Sequence, residues 1–70
     1  MEIFTERLRR ARWDKDWSVA KLSIRSGVAA CTITAYEQGK SGPGLYIAAR
    51  LADALGVSLD WLAGRTDKKE

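Results

Sequence analysis

Arg7, Arg9, Arg10, Arg12, Lys15, Lys21 and Arg25 crowd into the first 25 residues, whereas Ser26 to Leu59 holds only Lys40 and Arg50. Cations gathered in this way favour contact with phosphates, although a net charge of +3 and a pI near 9.4 permit nucleic-acid binding without requiring it. Few side chains here can do covalent chemistry. The chain has one Cys and no His, so it offers no zinc-ligand set and no internal disulfide. It also lacks a nucleophile, base and orienter in combination. The segment Gly39 to Gly44 (GKSGPG) contains Gly, Lys and Ser but not the spacing of a phosphate-binding loop. An enzyme is therefore not expected, nor is a cofactor, a metal or a small-molecule ligand.

The elements that position these residues read as helices. Phe4, Leu8 and Ala11 share one helical face, which predicts a first helix from about Ile3 to Asp14, and Asp14-Lys15-Asp16 reads as a turn. Ser18 is a good N-cap, with Trp17 and Leu22 placed as a hydrophobic staple, and Gly27 suits a left-handed C-terminal stop. The second helix is then about Val19 to Ser26. A third starts near Ala29 or Ala30 and runs to Gln38, with Ile33 and Tyr36 inward and no side-chain acceptor at its start. Gly39 closes it. A fourth helix is expected from about Leu45 to Leu55, with Leu45, Ala48, Leu51, Ala52 and Leu55 inward and Gly56 as its stop. Ser58 caps a short fifth helix, where Val57 and Leu62 can form a second staple and Asp60 complements the dipole. Trp61 and Leu62 are expected in the core, with a homodimer contact as the alternative. These readings predict an all-α, five-helix domain over 1–64 and a charged, flexible tail over 65–70.

The informative stretch runs from Trp17 to Gly39, WSVAKLSIRSGVAACTITAYEQG. Two short helices joined by a tight turn containing Gly27 describe a helix-turn-helix, whose second helix fits the major groove. With Phe4, Arg7-Leu8 and Arg12 before it, and Pro43, Leu51-Ala52, Ala54 to Leu62 (ALGVSLDWL) and Gly64 after it, the chain resembles the phage-repressor-like (Cro-like, XRE-type) helix-turn-helix domains. The resemblance spans about Phe4 to Thr66. It implies a compact lambda-repressor-like bundle, a DNA-binding transcriptional regulator of repressor type, double-stranded DNA as partner and a homodimer on paired half-sites.

Residue by residue, the resemblance implies an ion pair between Arg12 and Glu37. It implies phosphate contacts from the start of helix 2 and the loop after helix 3, with Ser18, Lys21, Thr32, Gln38, Lys40 and Ser41 as donors. Val19 stands where the family often has Gln and cannot donate. The base-reading positions correspond to Ala30, Cys31, Thr34 and Ala35. None is an Arg, Lys, Asn or Gln, so the bidentate pairs that read guanine and adenine are missing. Methyl contacts to thymine and a single hydrogen bond from Thr32 or Thr34 remain, with DNA shape and dimer spacing as further sources of specificity.

That bland third helix keeps a second reading open: a protein-interaction module, antitoxin-like or a regulatory partner, that retains the fold without strong readout. Trp13 lies about half a helical turn away from Phe4, and Ile24 opposes Leu22, so both are expected outside and together form a candidate protein-binding patch. Cys31 is read as an inert small residue. With 46% hydrophobic and 30% charged residues the chain is globular rather than disordered. It has no apolar run near the roughly 20 residues of a membrane span. A single Cys and Glu2 and Glu6 near the start argue against secretion, so a cytoplasmic, nucleoid-associated location is expected. Met1 and the polar tail suit a complete small protein.

Overall fold

The computed structural model describes residues 2–40, 42 and 44–69, without the side chain of residue 2. Five helices follow in order: α1 Glu2–Asp14, α2 Val19–Ser26, α3 Ala30–Glu37, α4 Leu45–Leu55 and α5 Leu59–Leu62. No strand occurs among the described residues. Local chemistry sets the bounds. Ser18 Oγ accepts from the Lys21 N–H at 3.0 Å, and Ser58 Oγ accepts from the Trp61 N–H at 3.0 Å. Each hydroxyl satisfies one of the orphan donors of a first turn. At the other end of α2, Gly27 takes a left-handed φ of 75° and donates to Ser23 O at 2.9 Å. A side chain there costs strain, which is why Gly stands at this stop.

The core is built from one stripe of each helix. Phe4, Leu8 and Ala11 of α1 meet Leu22 of α2, Ile33 and Tyr36 of α3, the Ala48-Leu51-Ala52-Leu55 stripe of α4, and Trp61 and Leu62 of α5. Val28, in the turn between α2 and α3, is also buried. No buried side-chain nitrogen or oxygen lacks a hydrogen bond among the described residues. Trp17 packs partly buried against this core, with Lys15 and Arg25 over its ring.

Leu45 differs from the expectation that it faces inward: it is 75% exposed, and so is its neighbour Tyr46, at 85%. The helical period puts Leu45 on the same side as Ala48, but at the first turn of α4 it stands at the rim of a groove lined by Phe4, Ala48 and Leu59 rather than in the core. Residues 65–69, expected as a free charged tail, lie along α1. Arg7 Nη1 donates to Trp61 O and Thr66 O, both at 2.6 Å, and Arg7 Nη2 reaches Asp67 at 3.1 Å. Lys69 Nζ donates to Asp14 at 2.8 Å, and the Ser58 N–H donates to Lys69 O.

Candidate nucleic-acid interface

The helix-turn-helix is formed by α2, the three residues Gly27-Val28-Ala29, and α3. Ser26 Oγ stiffens the turn, donating to Leu22 O at 2.7 Å and accepting from the Val28 N–H at 3.2 Å. Buried Val28 then anchors the turn to the core.

Three contacts fix the inner stripe of α3 onto α1. The Phe4 and Tyr36 rings meet edge-on, with centroids 5.7 Å apart. Thr5 Oγ1 donates to Tyr36 O at 2.9 Å. Arg12 Nε and Nη2 donate to the two Glu37 carboxylate oxygens at 2.7 and 2.8 Å, a fork-to-fork geometry. Arg12 Nη1 also donates to Trp17 O at 2.9 Å, so one guanidinium ties α1, the approach to α2 and the end of α3. The hydrogen bond to Glu37, outweighing the opposing cost of burial, holds the Arg12 pKa above its ordinary value.

With that stripe held inward, α3 turns Ala30, Cys31 and Thr34 outward, all exposed. Ala35 and Thr32 are half-buried at the edges of the outward stripe. Ala29, at the N-cap, contributes no side-chain hydrogen bond, so the first-turn N–H groups of α3 carry no side-chain acceptor. Ser18 and Lys21, at the start of α2, are exposed. The Ser18 cap uses only an acceptor lone pair, and its O–H stays free to donate. Beyond α3, Gln38 and Lys40 are exposed, and main-chain bonds set their place: Gln38 N to Thr34 O, then Lys40 N to Ala35 O, both at 3.0 Å, across Gly39 at φ 72°. Ser41 lies outside the described residues.

The structure divides the basic residues of the first two helices. Arg7 and Arg12 are engaged internally. Arg9 and Arg10 line a groove on the outer side of α1, away from the turn. Lys15, Lys21 and Arg25 remain exposed around α2. Arg50 joins them from α4: its Nη1 lies 3.5 Å from where a Cβ at Gly27 would stand. Nothing in the local sequence pairs Arg50 with Gly27, since only the crossing of α2 and α4 brings them together. Trp13 is 59% and Ile24 79% exposed. Trp13 lines the groove beside Arg9 and Arg10, whereas Ile24 does not.

This turn and its two flanking helices lie within residues 8–62, which the helix-turn-helix family model matches. No curated protein and no solved structure matches the chain. The family is one of DNA-binding regulators and is typically non-enzymatic. No described helix is long and apolar enough to cross a membrane. A match over most of the chain, on an all-helical bundle with this turn geometry, shows that the protein belongs to the Cro-like, XRE-type helix-turn-helix family of DNA-binding transcriptional regulators.

Proposed function

We propose that the protein acts as a repressor-like regulator that lays α3 in the major groove of duplex DNA, as a homodimer on paired half-sites. One observation carries the reading: α3 is clamped along its inner stripe, and its outward stripe of Ala30, Cys31 and Thr34 is exposed, with exposed donors on the segments that adjoin it. Ser18 and Lys21 stand at the start of α2 and Gln38 and Lys40 just beyond α3, two places that the Arg12 guanidinium draws together by binding Trp17 O and Glu37 at once. Donors so placed suit the phosphates that border a groove about 12 Å wide, with Thr32 and Ser41 as further candidates. The small outward side chains allow close approach and methyl contacts to thymine, without bidentate base pairs. Sequence choice then rests on DNA shape and on half-site spacing, about 34–36 Å or a multiple of it.

For the dimer, the start of α4 offers a surface. Exposed Leu45 flanks a shallow groove of about 360 Å³ whose walls include Phe4, Ala48, Leu59 and Ala63. Its lining also holds Asp60 and Arg65, which face each other at 3.9 Å and which a two-fold related copy can pair with in reverse.

Selection from a random duplex library at low salt, followed by salt titration of the bound pool, tests this reading. An enriched palindrome is the expected result. Salt-sensitive binding without a motif removes sequence specificity from the proposal. Absence of binding by the folded protein overturns it, and favours an interaction module, the reading that Ala30, Cys31 and Ala35 support by carrying no base-reading side chain.

A further inference from the structure

Trp13 is the largest exposed side chain of α1. Glu6, Arg9, Arg10 and Trp13 follow one another at i, i+3, i+4 and i+7 and make one outward stripe. Opposite this stripe run residues 65–69, secured by Arg7 and by the Lys69–Asp14 bond. The two walls enclose an open groove of about 850 Å³, with Trp61 between them.

We propose that this groove binds an acidic peptide segment of a partner protein, in which carboxylates flank an apolar side chain. Charge complementarity carries the argument. Of the groove's cations, Arg7 is engaged by Asp67 and two carbonyls, and Lys69 by Asp14. Arg9 and Arg10 make no ion pair among the described residues. Glu6 is the single acid of the facing stripe, so the unneutralised charge of the groove is positive. Trp13 supplies the apolar contact, and Trp and Arg are both enriched among the residues that anchor protein interfaces.

A nucleic-acid strand fits this groove less well. Arg9 already lies over the Trp13 ring at 5.6 Å, and Arg7 and Lys69 lie over Trp61 at 4.9 and 5.2 Å. A stacked base competes with these cations for the ring faces, whereas a carboxylate pairs with the cations where they stand. On the DNA-binding reading proposed above, the groove is set apart from the outward stripe of α3. The residues of α1 that meet α3 are Phe4, Thr5 and Arg12, whereas the groove stripe centres on Trp13, about half a helical turn from Phe4. On that reading a DNA-bound molecule is expected still to present the groove.

The test is an NMR titration of the isotope-labelled full chain at low salt. The probe is a synthetic peptide with a Leu-Phe pair flanked on each side by a run of Glu, and its control has Gln in place of every Glu. The Trp13 and Trp61 indole N–H signals are expected to move, and the Glu peptide is expected to bind about tenfold more tightly than the Gln peptide. The double variant Arg9→Glu/Arg10→Glu is expected to abolish binding, and Trp13→Ala to weaken it about tenfold. Should the double variant unfold, Trp13→Ala, at an exposed position, decides alone. Saturating duplex is expected to leave the peptide affinity unchanged. The proposal is overturned by indole signals that stay still, by equal binding of the Gln peptide, by competition from duplex, or by an oligothymidine strand that displaces the peptide from the same signals.

Discussion

Arg12 and Glu37 face each other across α1 and α3 with both hydrogen bonds of the fork made, at 2.7 and 2.8 Å, and with side chains only 13% and 9% exposed. The pair decides how α3 is rolled about its own axis, and so which residues it offers to a partner. Removal of one member leaves the other without its opposite charge at a largely buried site. Arg12→Ala or Glu37→Ala is expected to cost about 3–5 kcal/mol, a large share of the stability of so small a domain. Replacing both, as Arg12→Met with Glu37→Leu, is expected to cost much less. Urea denaturation of the three variants checks this, and a single-variant loss below about 1 kcal/mol marks the pair as an ordinary surface contact.

The outward stripe of α3 predicts tolerance. Ala30→Gln and Cys31→Gln place a longer polar side chain at exposed positions. Each is expected to change stability by less than about 0.5 kcal/mol while adding a group able to read adenine. Thermal unfolding gives the first quantity and a duplex-library selection the second. A loss above about 2 kcal/mol would mean that α3 is rolled differently from the structure.

Lys40 is exposed at the closed end of α3. Lys40→Ala is expected to weaken binding to all duplexes alike and to lower the slope of log affinity against log salt by about one. Filter binding over a range of salt measures this, and an unchanged slope removes Lys40 from the phosphate contacts.

The C-terminal segment predicts a pH response. Lys69, through its hydrogen bond, holds the Asp14 carboxyl below its ordinary range, with Arg10 contributing. A depressed acid contributes its contact above the ordinary carboxylate range, and that contact is lost as pH falls through and below it. The Lys69 contact is therefore expected to hold at neutral pH and to be lost as pH falls through and below the ordinary carboxylate range, while Arg7 and Ser58 still hold residues 66 and 69. Indole N–H and Lys69 signals in NMR report the release. Asp14→Asn, which removes the charge, is expected to loosen the Lys69 contact at neutral pH. Signals of that variant that match the native ones at pH 7 would exclude this role for Asp14.

Much of the fold is legible in the sequence because its determinants are local. Ser18, Gly27, Ser58 and Gly56 sit within a residue of the ends they set, so α2 and α4 take the bounds that capping chemistry dictates. Periodicity assigns Ile33 and Tyr36 inward for the same reason. Leu45 shows the limit: phase gives the side of a helix a residue lies on, but not how far the neighbouring helices reach beneath it. The contacts of Arg7 with Trp61 and Thr66 span 54 and 59 residues and leave no trace in local pattern. At the candidate interface, the small outward residues of α3 are legible as types. The proximity of Arg50 to Gly27, and the division of the basic residues between core, groove and turn, depend on how the helices cross.

The long reach of Arg7 bears on the order in which the molecule assembles. Phe4, Thr5 and Arg12 find their partners at Tyr36 and Glu37, so α1 can engage α3 once the first half of the chain is available. Arg7 must wait for residues 61 and 66, whose capture closes loops that span nearly the whole chain. Such loops are slow to close and return little until they do. The partners of α1 in the first half of the chain are therefore within reach sooner than those of Arg7, whose two long-range bonds tie the opening helix to the closing segment.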